Sequence, residues 1–253
     1  MLRLRQICLV AHELAPAVDD LTQVLGLATC HHDPAVGKYG LENALLPVGT
    51  NFLEVVAPTE EGTAGGRYLE RRGGDGGYMV ILQCDNVEER RARMGALDVR
   101  IANALNYGDF TGLQLHPRDT GGCMLETDTM DGDQAADGPW HPAGGKWQSA
   151  VRLERTAAMV GAELQSPDPD ALAARWGEIL DHPVTAGAAG GPEIVLDNAT
   201  LRFVEIADGR PEGLGGVDIR AADGAGILAA AEARGLAVTG DCVMICGTRF
   251  RLV

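Results

Sequence analysis

The chain has 253 residues, of which 45% are hydrophobic and only 4% aromatic, so aliphatic side chains must fill its core. Its 36 acidic and 21 basic residues give a formal charge of −15, which disfavours nucleic acid and anionic membrane surfaces as partners. No stretch approaches the ~20 apolar residues of a membrane span, and the N-terminal apolar run is too short for a signal peptide.

The six cysteines are scattered along a chain that is large enough to fold without disulfides. We therefore expect free thiols and a cytoplasmic location. The length allows either one large domain or two of ordinary size, and internal repeats decide between these possibilities.

An apolar strand-like run, a polar helix-capping residue, a helical stretch and a helix stop follow one another four times along the chain. The runs begin at Gln6, Met79, Gly161 and Gly216, the caps are Glu13, Asn86, Asp168 and Asp223, and the stops lie near Gly26, Asp98, Asp181 and Gly235. The distance from cap to stop is 13 residues in the first and third repeats and 12 in the second and fourth. This alternation indicates a duplicated two-repeat unit, so we expect repeats one and two to pair, and likewise three and four.

Short strand candidates separated by Gly, Pro, Asn or Asp follow each helix, so every repeat is predicted to be a βαβββ unit. After the first helix these candidates are GLATCHH, GLENALLPVG and NFLEVVAP. The segment between the second and third repeats is acidic and rich in Gly and Pro, which predicts a solvated linker. The predicted organisation is one domain over residues 1–130, the linker over 131–146, and a second domain over 147–253.

Paired βαβββ units resemble the vicinal oxygen chelate superfamily of glyoxalases, bleomycin-resistance proteins and dioxygenases over nearly the whole chain. The most specific local match is HPRDTGGCMLE, residues 116–126, which resembles the end of the second unit in glyoxalases and methylmalonyl-CoA epimerases. The resemblance implies an α+β fold in which four βαβββ modules pair into two glyoxalase-like domains, each with a curved, cup-shaped mixed sheet.

The resemblance also implies metal ligands on the first and last strands of each module, facing into the cup. The first-strand position lies seven residues before the helix cap, at Gln6, Met79, Gly161 and Gly216. The last-strand position is usually a Glu, and Glu54 and Glu126 match it. Glu205 also matches if Phe203 is aligned with Phe52, whereas the fourth repeat has Arg251 at this position. The 48 residues from Gln6 to Glu54 match the 47 from Met79 to Glu126. The implied ligands are therefore Gln6, Glu54 and Glu126.

Met79 departs from the family pattern, which usually has a His at this position. A thioether is a poor ligand for a hard cation, and His116, His12 or Tyr78 would have to fill the gap. Three oxygen donors suit magnesium, manganese, cobalt or nickel and are acceptable to zinc. No organic cofactor is expected.

The function implied by the resemblance is a metal-assisted isomerase, epimerase or lyase that acts on a small oxygenated substrate. Glu126 and Glu54 would be the catalytic carboxylates that move the proton. Met79 and His116 would contact the substrate, and Arg118 could meet an anionic group on it.

The alternative is a non-catalytic protein that binds or sequesters a small molecule in the same cup without a metal. Taken singly, Gln6 could face solvent and Glu54 could mark a sheet edge. Two Glu residues at matching positions of otherwise apolar strands favour a site, because burying unpaired carboxylates is costly. The second domain lacks a chelating set, so we expect it to be structural, in a chain that is a monomer or a homodimer.

Overall fold

The structure of the chain, a computed structural model, describes residues 1–132, 134–188 and 190–253. Of the linker predicted over residues 131–146, Asp133 lies outside the described residues. The elements of the first half are β1 (Leu2–Val10), α1 (Leu14–Leu25), β2 (Leu41–Val48), β3 (Asn51–Pro58), α2 (Ala64–Arg72), β4 (Gly76–Cys84), α3 (Val87–Ala96), β5 (Ile101–Asn106), β6 (Phe110–Leu115) and β7 (Met124–Met130).

The second half has a similar order of elements, but three strands follow its first helix and no counterpart of α2 is present among its described residues. Its elements are β8 (Thr156–Ser166), α4 (Pro169–Leu180), β9 (Thr185–Ala186), β10 (Pro192–Val195), β11 (Thr200–Glu205), β12 (Gly213–Ala221), α5 (Gly224–Ala233), β13 (Val238–Thr239), β14 (Cys242–Ile245) and β15 (Thr248–Leu252).

The strands form two mixed sheets, one from each half of the chain. The first has the order β2-β3-β1-β4-β7-β6-β5, and the second the order β13-β14-β15-β12-β8-β11-β10-β9. In both, the first strands of two modules run antiparallel at the centre, as β1 with β4 and β8 with β12, and each pairs in parallel with the last strand of its own module. The predicted α+β fold and the pairing of modules are thus confirmed, while the domain boundaries at 130 and 147 stay a prediction.

The four predicted helices begin at the predicted caps. Asn86, Asp168 and Asp223 each accept a backbone N–H of the first turn, whereas Glu13 occupies the cap position without such a bond. The stops are left-handed residues, with φ of 70° at Gly26, 54° at Asp98, 53° at Asp181 and 74° at Gly235. The alternating helix lengths in the sequence therefore reflect real helix ends.

The buried apolar side chains form two clusters on opposite faces of the first sheet. The larger cluster lies between the two sheets and joins β1 and β4 to β8 and β12, with the apolar faces of α1 and α4 packed into it. The smaller one lies inside the first cup and includes Phe52, Phe110, Trp140 and Trp147. One continuous core thus supports both halves of the chain.

Two predictions about local structure are wrong, and one helix was missed. GLATCHH forms only an isolated bridge from His31 to Leu45 instead of a strand. Helix α2 was not predicted, because two glycines in its first turn hide it; Gly65 packs closely on Leu41, where a Cβ would lie 3.2 Å from Cδ2. The solvated linker is the second wrong prediction, since residues 136–147, which we call the strap, are packed onto the first cup and bury Trp140 and Trp147.

All six cysteines are free thiols, as expected. Among the described residues, none of the helices is both long and apolar enough to span a bilayer.

Candidate active site

The concave face of the first sheet and the strap enclose a cavity of about 370 Å³. Four residues singled out from the sequence, Gln6, Glu54, Met79 and Glu126, line this one cavity together. The structure thus brings the predicted ligand positions of the first half together. Most of the remaining wall is apolar, which suits a small organic molecule.

Glu54 is held by side-chain amides on both of its oxygens. Gln6 Nε2 donates to Glu54 Oε2 at 2.8 Å, and Asn43 Nδ2 donates to Oε1 at 2.7 Å. The parallel pairing of β1 with β3 sets Glu54 beside Cys8, two residues after Gln6 on the same face. Burial raises the pKa of Glu54, and the hydrogen bonds from Asn43, Cys8 and Gln6 oppose that rise.

Glu126 reaches the cavity from β7, on the other side of the central strands. Gln114 Nε2 donates to Glu126 Oε2 at 3.0 Å, and the Oε1 of Gln114 accepts from Asn103 Nδ2 at 3.1 Å. Burial raises the pKa of Glu126 to about 7, with the Glu54 charge adding to the effect and hydrogen bonds opposing it. This carboxyl can therefore both accept and release a proton near neutral pH.

Asp128, a residue that the sequence reasoning missed, lies next to Glu126 on the same face of β7. It is completely buried, and neither of its carboxyl oxygens accepts a hydrogen bond from any described donor. Burial and the neighbouring Glu126 charge raise the pKa of Asp128 well above its ordinary range. The cup therefore holds a pair of carboxyls in contact.

The donors implied by the family resemblance do not fit a divalent cation as they are arranged. Both oxygens of Glu54 accept from amides, and Gln6 Oε1 accepts from the indole Nε1 of Trp140 at 2.8 Å. Met79 supplies a thioether at the fourth position. In the part of the chain that the structure describes, no three His, Cys, Asp or Glu side chains are grouped closely enough to hold a metal ion.

His116 and Arg118, which were predicted to contact substrate, do not line the cup. His116 caps a short 3-10 turn after β6, where its Nδ1 accepts from the backbone N–H of Arg118 at 3.2 Å. Arg118 is exposed and borders a shallow groove that also includes Asp168 of the second half. The turn at Pro117 directs this segment away from the concave face, which corrects the prediction for both residues.

Arg5 fastens the strap over the cup. Its guanidinium lies 5.2 Å from the ring centroids of Phe52 and Trp140 and 5.7 Å from that of Trp147. It also donates to the backbone carbonyls of strap residues 136 and 138. Cation–π contacts and hydrogen bonds from this buried guanidinium thus hold the strap on the cup. In this position the Trp140 indole N–H donates to Gln6.

The second cup carries the opposite charge at the equivalent positions. In the register of the sheet, Arg202 lies opposite Glu163 of β8, just as Glu54 lies opposite Cys8 of β1. Arg202 therefore stands at the position of Glu54. Arg251 stands at the position of Glu126, because it lies opposite Asp218 as Glu126 lies opposite Ile81. Both arginines donate to the two oxygens of Asp218 at 2.8–2.9 Å. Partly buried ion pairs to the buried Asp218 therefore occupy these positions.

The prediction that Glu205 is the counterpart of Glu54 is wrong. It rested on setting Phe203 against Phe52, whereas the sheet sets Thr200 opposite Gly161, as Phe52 lies opposite Gln6. Phe203 lies three residues after Thr200, and side chains in a strand alternate between faces, so Phe203 points to the other face of the sheet. There it packs against Trp176, with the ring centroids 5.8 Å apart.

Two sequence signals could have found the missed residues. Asp128 follows Glu126 by two positions in a strand, and the alternation of side chains places both on one face. Two of the three tryptophans lie in the Gly- and Pro-rich strap. Indoles in such a segment indicate burial, because Trp is highly buried on average.

A sequence profile described as a glyoxalase-like domain matches residues 7–180. No curated protein matches the chain. Among solved structures, a hypothetical protein from Staphylococcus aureus is similar over 100% of this chain and 99% of its own, with a TM-score of 0.68 and 13% identity.

Methylmalonyl-CoA epimerase from Streptomyces coelicolor, in complex with 2-nitronate-propionyl-CoA, is similar over 51% of this chain and 98% of its own (TM-score 0.46, 21% identity). The Mycobacterium tuberculosis epimerase is similar over 51% of this chain and 88% of its own (TM-score 0.45, 21% identity). The likeness to the Staphylococcus aureus protein shows the fold of both halves.

Proposed function

We propose that this chain, which belongs to the glyoxalase-like domain family, binds a small oxygen-bearing molecule in its first cup and moves a proton on it, as an isomerase or epimerase does. One observation carries the proposal: Glu126 is a buried carboxyl on the wall of a mostly apolar cavity, where burial raises its pKa to about 7. A group with this pKa is suited to general acid–base catalysis near neutral pH.

The two glutamates lie on opposite sides of the cup floor, on β3 and β7, with β1 and β4 between them. A substrate on that floor therefore has a carboxyl on either side. Glu126 in its ionised form takes a proton from a carbon next to a carbonyl, and the electron pair of that bond moves to the carbonyl oxygen. Glu54, on the other side of the floor, supplies a proton to the opposite face when its carboxyl carries one.

The charges around the cavity favour a neutral substrate. Its ionisable lining includes Asp33, Glu54, Glu126 and Asp128, and none of the described lining residues is Lys or Arg. A carboxylate or phosphate inside the cup would meet like charge at low dielectric, which is costly. We therefore propose a hydroxy ketone or related carbonyl compound. The proposed proton transfer does not require a metal ion, and metal binding by the first cup remains a separate prediction.

The test uses two neutral chiral hydroxy ketones, acetoin and phenylacetylcarbinol, incubated with the protein in D2O. We expect the optical activity to be lost and deuterium to be incorporated at the carbon next to the carbonyl. Glu126→Gln should lower both rates at least ~100-fold, and Glu54→Gln should abolish racemisation while leaving some exchange. Glu42→Gln, an exposed position on β2, is the matched control and should not change either rate.

Two results would contradict proton transfer. One is calorimetric binding of these ketones without any exchange, which would support the sequestering alternative. The other is exchange that survives Glu126→Gln.

A further inference from the structure

Aromatic side chains from both edges of the first sheet line the mouth of the first cup. Tyr39 ends a 3-10 turn, Pro34–Tyr39, that leads into the edge strand β2, and Tyr107 lies in the hairpin between the opposite edge strand β5 and β6. Phe110 at the start of β6 and His141 of the strap line the same cavity. Tyr39 and Tyr107 are 40% and 37% exposed, whereas the other two tyrosines of the chain are buried. Exposed aromatic side chains at a cavity mouth indicate a place where a ligand completes their burial.

Three of these rings lie together as one surface, which we call the aromatic wall: Tyr107, Phe110 and His141. The rings of Tyr107 and His141 are stacked, with centroids 5.0 Å apart and an angle of 5° between their planes. The Phe110 centroid lies 5.6 Å from that of His141 and 6.2 Å from that of Tyr107, with interplanar angles of 24° and 28°. Trp140 packs edge-on against Phe110, with centroids 5.6 Å apart. The protein therefore holds the planar surface in place before any ligand enters.

Hydrogen bonds fix the two exposed tyrosines. Asn103 Nδ2 of β5 donates to the Tyr39 hydroxyl at 2.7 Å, and Lys38 Nζ donates to the Tyr107 hydroxyl at 2.5 Å. Both bonds join the turn before β2 to the strand and hairpin at the opposite edge of the sheet. Rings that are ordered in advance lose little freedom when a ligand binds, which favours affinity.

The carboxyls of the cup lie on other strands than the rings. Glu54 and Glu126 belong to β3 and β7, whereas the rings come from the turn before β2, the β5–β6 hairpin with the start of β6, and the strap. The cavity volume of about 370 Å³ is in the range of pockets that hold drug-sized ligands. A ligand that reaches both regions therefore has a polar end and a planar apolar end.

We propose that the aromatic wall and Tyr39 form a subsite for an aryl group, so that the substrate class of the first cup is an aryl-substituted hydroxy ketone or related aryl carbonyl compound. This inference rests on the proposed function, because it places the carbonyl between Glu54 and Glu126. An aryl ring packs offset or edge-on against other rings at centroid distances of about 4.5–7 Å and gains attraction beyond its buried area. A saturated ring of the same size lacks that attraction.

The test compares two ketones of matched size by calorimetric titration of the full-length protein. Propiophenone carries a phenyl ring, and cyclohexyl ethyl ketone carries a saturated ring. In the wild type, propiophenone should bind at least ~threefold more tightly, although the saturated ring is the more hydrophobic of the two. Both ketones are achiral, and proton exchange regenerates the same molecule, so the heat measures binding alone.

Tyr107→Leu keeps an apolar side chain but removes a ring, so the preference for propiophenone should fall below about twofold. Its affinity for cyclohexyl ethyl ketone should stay the same, which also shows that the cup is intact. His141→Leu should act in the same direction from the strap. Tyr107→Phe keeps the ring and loses the bond from Lys38, so the preference should remain. Val195→Ala, at an exposed position on β10 of the second half, is the control and should change neither affinity.

The inference is wrong if cyclohexyl ethyl ketone binds to the wild type as tightly as propiophenone, or if neither ketone binds. It is equally wrong if the preference survives both leucine variants. Deuterium exchange into acetoin without any aryl preference would contradict only this inference. An aryl preference in binding without exchange or racemisation of phenylacetylcarbinol would contradict only the proposed function.

Discussion

Met79 is the single residue at which the first cup departs most from a metal-binding pattern. It is almost fully buried on β4, pairs with Cys8 of β1 and lines the cavity. In a cup used for an organic ligand, a methionine at this place is an adaptable apolar contact. In a cup used for a metal, it is a missing ligand.

Met79→His should restore a fourth donor beside Gln6, Glu54 and Glu126. We expect weak nickel and zinc binding in the wild type and at least ~tenfold tighter binding in the variant, because imidazole binds these ions far better than a thioether does. Calorimetric titration with both metals measures the change. Leu105→His places the same group on the edge strand β5, elsewhere on the cavity wall, and serves as the control. Stoichiometric tight binding by the wild type would contradict this view of the site.

At the scale of elements, the strap is the feature that composition concealed. Its Gly- and Pro-rich sequence resembles a linker, yet Trp140 donates to Gln6 inside the cup. The Trp147 indole N–H, by contrast, has no hydrogen-bond partner among the described residues. The two tryptophans are similarly buried, at 1% and 2% exposure, and so form a matched pair.

Trp140→Phe should lower the free energy of unfolding by about 1–2 kcal/mol more than Trp147→Phe does, because only the first variant leaves a buried amide oxygen without its donor. Denaturant unfolding of the two variants gives the comparison. Equal losses would show that the indole hydrogen bond contributes no stability beyond ring packing.

Four helices could be predicted because capping side chains and left-handed stops mark helix ends within the chain itself. Gln6, Glu54 and Glu126, which line one cavity, could be singled out through the family resemblance, with the repeat spacing in support. The strap, Asp128 and the identity of Arg202 as the counterpart of Glu54 depend on contacts between distant segments. Those contacts are set by sheet register and by Arg5, which no single-segment pattern encodes.

At the scale of the whole molecule, the two cups have taken opposite electrostatic forms. The first keeps carboxyls, and two of them, Glu54 and Glu126, accept hydrogen bonds from side-chain amides. The second has arginines at both acidic positions, held by the almost fully buried Asp218. This inversion supports the prediction that the second cup is a structural part of the chain.

Asp218→Asn should therefore destabilise the protein by about 1–3 kcal/mol, because it removes the anion of Arg251 and one of the two anions of Arg202, which keeps Glu163 as a partner. Glu88→Gln, which breaks an exposed pair with Arg91 on α3, should cost less than ~1 kcal/mol and is the control. Chemical unfolding measures both changes. A loss for Asp218→Asn no larger than that for the control would refute the structural role.

The core that lies between the two sheets has a consequence for how the protein behaves on dilution. All the described residues that line the first cup come from positions 6 to 142 of one chain, and the sheet behind them is joined to the same polypeptide. The second half of the chain is covalently joined to the first, so its effective concentration beside the first sheet does not depend on the protein concentration in solution. Ligand affinity per chain should stay the same from micromolar to nanomolar protein, with a simple hyperbolic isotherm and one site per chain.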